Sequence, residues 1–140
     1  SLLCVTPTNF RNDCRIPSSS TILNGDFRDG RCYWSRKGNV RISRNGAEIE
    51  PGQLLFQGLT LEKGKYSFTV DASGDGEVKI IGSRDNKTVA SKKFSNAQTA
   101  KTVIEFTITD GGDYMLGVEG GKAKVVAAKL DKNKTILDKK

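Results

Sequence analysis

The sequence predicts an all-β protein, an antiparallel β-sandwich, on three observations. Apolar residues alternate with polar ones in Tyr66, Phe68, Val70, in Ile104, Phe106, Ile108 and in Tyr114, Leu116, Val118, and a period of two puts one face of each segment on a core and the other in water. Turn chemistry separates these segments: Gly numbers 15 against 3 Pro, and it clusters with Asp and Asn, which tolerate the backbone angles of tight reversals. No run of about ten residues carries an apolar stripe at helical spacing.

Taken in chain order, residues 1–21 are a polar, Cys-bearing leader, with Thr6-Pro7-Thr8-Asn9 and Ile16-Pro17-Ser18-Ser19-Ser20-Thr21 as breakers. Residues 22–132 carry the sandwich pattern, and residues 133–140 form a lysine-rich tail. Within the sandwich the strand candidates are Val40 with Ile42, Leu54-Leu55-Phe56, Tyr66 to Val70, Val78 with Ile80, Val89 with Phe94, Ile104 to Ile108, Tyr114 to Val118, and Val125 to Leu130. Reversals are expected at Arg44-Asn45-Gly46, Pro51-Gly52, Lys63-Gly64, Gly74-Asp75-Gly76, Asp85-Asn86, Asp110-Gly111-Gly112 and Gly120-Gly121. That punctuation implies about eight to ten strands. The expected core is Phe27, Trp34, Leu61, Tyr66, Phe68, Val70, Ile80, Ile104, Phe106, Ile108, Leu116 and Val118.

Length allows one domain: 140 residues support a single core of ordinary size. No apolar run approaches the roughly 20 residues of a membrane helix, and Ser1-Leu2-Leu3-Cys4-Val5 has neither the length nor the basic flank of a signal peptide. Histidine is absent, which removes the commonest general base and metal ligand and argues against zinc and triad enzymes. Basic side chains number 23 against 16 acidic, a formal charge of +7. Arg28, Arg31, Arg36, Lys37, Arg41 and Arg44 gather in one stretch opposed by Asp29, a candidate anion-facing patch. Three cysteines, Cys4, Cys14 and Cys32, leave at least one unpaired within a monomer. A disulfide in an oxidising compartment is expected, with Cys14 to Cys32 tying the leader to the domain; spacing alone does not choose among the pairings.

One segment carries a resemblance. Ile22-Leu23-Asn24-Gly25-Asp26-Phe27-Arg28-Asp29-Gly30, followed by Trp34, resembles the opening strand of the galactose-binding-like jelly rolls found as carbohydrate-binding modules of families 4, 9 and 22. The run Phe56-Gln57-Gly58-Leu59-Thr60-Leu61-Glu62-Lys63-Gly64-Lys65-Tyr66-Ser67-Phe68 is similar to their Leu-x-x-Gly-x-Tyr passage between strands, and the likeness spans Leu23 to Lys132. It implies a jelly roll and a non-catalytic glycan-binding role. It also implies a structural calcium, for which Asp26 and Asp131 are the candidate ligands here; Arg28 stands where the family often has an acid. No other cofactor is expected.

Sugars are recognised by aromatic rings against the pyranose face and planar polar groups against its hydroxyls. Of ten aromatic residues most belong to the predicted core, leaving Tyr33, with Phe56 and Phe94 as further rings. The polar complement is Arg36, Arg41, Arg44, Gln53 and Gln57, and the arginine forks point to an acidic glycan. The expected carbohydrate site is therefore Tyr33, Arg36, Arg41, Arg44 and Gln57. Nucleic acid is not the expected partner, because a basic excess with lysine-rich ends serves solubility more often than recognition. Catalysis is not expected either: Glu48 with Glu50 and Asp110 with Asp113 are paired carboxylates without a marked pocket. The sequence thus predicts an extracellular or cell-surface module that binds a polysaccharide or cell-surface glycan. The alternative is a sugar-blind structural domain that packs against neighbouring domains of a larger parent chain. Asn86-Lys87-Thr88 and Asn133-Lys134-Thr135 match the glycosylation acceptor pattern.

Overall fold

The computed structural model describes residues 20–133. They form seven strands: β1 (Ser35–Lys37), β2 (Arg41–Ser43), β3 (Gly46–Ile49), β4 (Leu54–Leu61), β5 (Gly64–Gly82), β6 (Thr88–Ile108) and β7 (Gly112–Lys132). All pairings are antiparallel. The sheet runs β1-β4-β7-β3-β2, and β5 lies between β6 and β7.

Three strands are much longer than the punctuation predicts, at 19 residues for β5 and 21 each for β6 and β7. They curl through a common bend, so each serves two layers. One edge of β7 pairs first with β4, from Leu61↔Gly112 to Leu54↔Glu119, and then with β3, from Ile49↔Ala123 to Ala47↔Val125. Its other edge follows β5 from Gly82↔Tyr114 to Tyr66↔Lys132. The first layer thus holds β1, β4, the end of β5 and the starts of β6 and β7, and the second holds β2, β3 and the remaining halves. Alternate side chains from both halves meet in one hydrophobic cluster.

Glycine makes the bend possible. Gly74-Asp75-Gly76 and Gly120-Gly121 do not reverse the chain as the sequence reading expects; they lie inside β5 and β7, with Gly74 opposite Ala123 and Gly76 opposite Gly120. A Cβ at Gly121 would sit 2.0 Å from the Asp75 carbonyl oxygen, and one at Gly74 2.1 Å from that of Lys122. The two backbones approach more closely than any side chain allows. Because the strands continue through these bends, there are seven of them.

The motif around Asn24 is also not a strand. Asn24 adopts a left-handed φ of 53° and its amide nitrogen donates to the carbonyls of Gly30 and Cys32, while its side-chain oxygen accepts from the Asp29 N–H. The Asn24 carbonyl accepts from Trp34 Nε1 and from the Phe27 N–H. This knot sets Phe27 and Trp34 in a stack 5.0 Å between ring centres, both buried. The Gly25 carbonyl accepts from Ala128 N–H, and a Cβ at Gly25 would lie 2.1 Å from the Ala128 oxygen. The segment therefore closes the edge of the sandwich where β4 and the second half of β7 part. All twelve predicted core residues are buried.

Candidate functional site

The residues singled out from sequence do not converge. Gln57 is only 3% exposed, and its amide is spent within the protein: Oε1 accepts from the Leu23 N–H at 3.1 Å, and Nε2 donates to the Leu23 carbonyl at 2.6 Å. Alternation along β4 turns it inward with Leu55 and Leu59, so it presents nothing to a ligand outside. Tyr33 is half-buried in the turn before Trp34, with φ 73°, and is not on the open face of a strand. Arg36, on edge strand β1, donates through Nη1 to the Val40 carbonyl at 2.8 Å. Arg41 stands opposite Glu48 on β2, at the edge of the other layer, and Arg44 is in the exposed β2–β3 turn. These three arginines line one lateral edge of the sandwich but point from different layers.

The calcium candidates fare no better. Asp26 accepts from the Arg28 N–H and lies 3.6 Å from its guanidinium, while Asp131 lies 3.7 Å from Lys129 Nζ. Among the described residues no group of three or more Cys, Asp or Glu side chains is placed to hold a metal ion. A hard cation wants six or more oxygens, and two acids each matched to its own base do not fit it. Cys32 is half-buried, and its expected partner Cys14 lies outside the described residues.

A cleft of about 500 Å³ lies instead at the bend of the first layer. Its polar wall is Asp75, Glu77 and Glu119 with Lys93 and Ser95, and its floor is Phe94 beside the Gly120-Gly121 backbone. Phe94 reaches this position because Gly76 has no side chain: a Cβ there would meet the ring at 2.8 Å. Glu77 stands directly opposite Glu119 on one side and Lys93 on the other. Two like charges face to face destabilise a sheet, and the neighbouring Lys79 offsets them, its Nζ 2.6 Å from Glu119 Oε1. The hydrogen bond that Lys79 donates to the Glu119 carboxylate raises the Lys79 pKa, burial works against it, and the charges of Glu119 and Glu77 add to it. Ser95 Oγ donates to Asp75 Oδ1 at 2.6 Å. On the same outer face Leu54 pairs with Glu119 and Phe56 with Gly117, both half-buried.

Planar carboxylates, an ammonium and a hydroxyl over an aromatic floor can exchange hydrogen bonds with adjacent hydroxyls on a rigid ring. Sequence reasoning named Phe94 as a further ring but missed the polar residues around it, because Asp75, Glu77 and Glu119 lie among glycines that read as reversals.

The same architecture recurs among solved structures. A family 61 carbohydrate-binding module in complex with β-1,4-galactotriose superposes with a TM-score of 0.62 at 16% identity, over 83% of this chain and 100% of that one. A family 4 module gives 0.61 at 16% identity, over 79% and 95%. A module of Cellvibrio mixtus lichenase 5A in complex with cellotriose gives 0.52 at 11% identity, over 84% and 99%. This is the jelly roll of the carbohydrate-binding modules. No protein-family sequence model and no curated protein matches the chain. At these identities the likeness establishes the module fold, and no residue is carried across.

Proposed function

We propose that the chain is a non-catalytic glycan-binding module and that the cleft at the bend takes the sugar. The observation that carries this reading is the convergence of Asp75, Glu77, Glu119, Lys93 and Ser95 over Phe94 in one cleft of a jelly roll. Three carboxylates against one lysine in the lining favour a neutral glycan there. Calorimetric titration of β-1,4-galactotriose and cellotriose into the protein tests it. Saturable binding that Glu77→Gln weakens about tenfold is expected, as for loss of a charged hydrogen bond. Binding unaffected by Glu77→Gln moves the sugar elsewhere. No binding to either sugar or to a wider glycan array, together with self-association, favours the sugar-blind structural alternative.

A second reading follows from the exposed Arg41 and Arg44: an acidic glycan on the β1/β2 edge, with Tyr33 and Arg36 beside it. Affinity there should fall markedly as salt screens the charges, whereas the bend cleft should be nearly indifferent to salt. An extracellular or cell-surface setting, the leader and tail boundaries at residues 21 and 133, and a Cys14–Cys32 disulfide belong to the same proposal. Thiol counting under denaturing, non-reducing conditions tests the disulfide, and three free thiols in protein made in an oxidising compartment would remove it.

A further inference from the structure

Strand β6 pairs with β5 alone, so among the described residues its other edge meets no strand in either layer. Two hydrogen bonds fix which way its backbone groups point. Asn133 N–H donates to the Lys65 carbonyl, which directs that carbonyl to the β7 side of β5, and Lys92 Nζ donates to the Val103 carbonyl at 3.0 Å. Lys65, Ser67, Thr69 and Asp71 lie opposite Thr107, Glu105, Val103 and Lys101 without a register shift. In an antiparallel ladder the N–H and C=O of one residue point the same way, and every second residue repeats that direction. Lys101, Val103, Glu105 and Thr107 therefore turn their N–H and C=O groups to the open edge.

The side chains of the same four residues are exposed, while Thr102, Ile104, Phe106 and Ile108 between them are buried. Toward the start of the strand, Ala97-Gln98-Thr99 stand against Ser73 alone, a bulge that ends the regular edge. Val103, 39% exposed and one of two large hydrophobic side chains left exposed among the described residues, sits midway between Lys101 and Glu105. Set antiparallel against an identical segment with a two-fold axis at Val103, this row complements itself. Val103 meets Val103, Lys101 meets Glu105 of the second copy, and Glu105 meets its Lys101. Opposite charges directly across a sheet attract and like charges repel. A slip of two residues loses both pairs, and a slip of four sets like charge against like. Glu105 has no ion pair among the described residues, and the pair that Lys101 makes with Asp71 leaves the lysine side chain 68% exposed.

We propose that the chain forms a symmetric dimer by pairing this edge of β6 with the same edge of a second copy. The second layers of the two copies then run on as one sheet, joined by about six backbone hydrogen bonds from Lys101, Val103 and Glu105. The Val103 carbonyl has two lone pairs, so it accepts from the second copy while keeping Lys92. A charged edge discourages pairing with other strands, and here the order of charges exempts the chain's own copy. None of these residues lines the bend cleft, so the pairing is independent of the glycan reading. A contact of one strand edge lies at the small end of specific interfaces, and half-assembly is expected at about 0.1 mM.

Sedimentation equilibrium of the full 140-residue chain, with free thiols alkylated and in about 0.15 M salt to screen the net charge, tests this from about 10 µM to about 1 mM. Wild type should pass from monomer to dimer over that range. Lys101→Glu and Glu105→Lys each set like charges across both pairs, and each should weaken the dimer about tenfold or more with melting near wild type. Mixing the two variants should restore dimerisation as a heterodimer, because the charges of one then face their opposites on the other. Hydrogen exchange at the Val103 and Glu105 amides should slow as concentration rises. The proposal is overturned if the chain stays monomeric at about 1 mM, if both variants dimerise like wild type, or if their mixture stays monomeric. Equal protection of the two amides at every concentration would overturn it as well, since another part of the same chain would then cover the edge.

Discussion

Replacing Gln57 with Leu distinguishes a buried structural amide from a sugar contact. The substitution keeps most of the volume at a position 3% exposed and removes both hydrogen bonds to Leu23. A neutral hydrogen bond contributes about 0.5–1.5 kcal/mol, and a backbone group orphaned in the interior costs about 1–3 kcal/mol. Leu23 is half-buried, so water replaces part of what is lost. The expected destabilisation is therefore about 2–3 kcal/mol, which in a domain of this size lowers the melting temperature by about 6–9 °C. Urea titration should show a lower midpoint with an unchanged slope, because the packed area hardly changes. Glycan binding measured well below the transition should be preserved. Stability within about 0.5 kcal/mol of wild type, combined with lost binding, would refute the burial and return Gln57 to the ligand site.

Other perturbations probe the core, the bend and the charged face. Phe68→Ala, at a fully buried position, should cost about 3–5 kcal/mol in chemical denaturation; a cost below about 1 kcal/mol would mean the strand faces are inverted. Gly121→Ala should cost about 3 kcal/mol or more because its Cβ would strike the Asp75 carbonyl, while Gly58→Ala, with nothing within 4 Å of its Cβ, should stay within about 0.5 kcal/mol. Lys79→Met should cost about 0.5–1 kcal/mol at neutral pH, the scale of a partly exposed pair. A lysine whose pKa is raised by folding contributes its stability below the ordinary lysine value and loses it as pH rises through the folded value. The difference between wild type and Lys79→Met should therefore be constant near neutrality and shrink in the strongly alkaline range; a difference that grows there would contradict the assigned ion pair.

The core was legible because burial repeats every second residue, and that repeat survives whether a strand is short or long. Strand continuity was not legible. Gly74-Asp75-Gly76 and Gly120-Gly121 have the chemistry of reversals, but what decides between a reversal and a bend is whether the partner strand carries glycine at the same register, as Gly76 and Gly120 do. Only pairing shows that. Gln57 was misread for a related reason: its polarity suggests water, yet β4 points it at a backbone that leaves the sheet without strand partners. The resemblance centred on Asn24-Gly25 identified the right fold, although the segment is a hydrogen-bonded knot rather than an opening strand. Its residue types serve that knot, a positive φ at Asn24 and a close approach at Gly25.

The bend that folds the sheet into two layers also makes the cleft. Gly76 allows the strands to turn and leaves the space that Phe94 fills, and Gly120-Gly121 allows β7 to cross close to Asp75 while exposing backbone beside the acidic wall. Fold and cleft draw on the same glycines there, so a side chain at the bend should reduce stability and reshape the cleft together. At the other end of the first layer the turns are set by backbone hydrogen bonds, and Arg84 and Asp110 are exposed. Substitutions at those two positions should leave the melting point unchanged, whereas those at the bend should lower it.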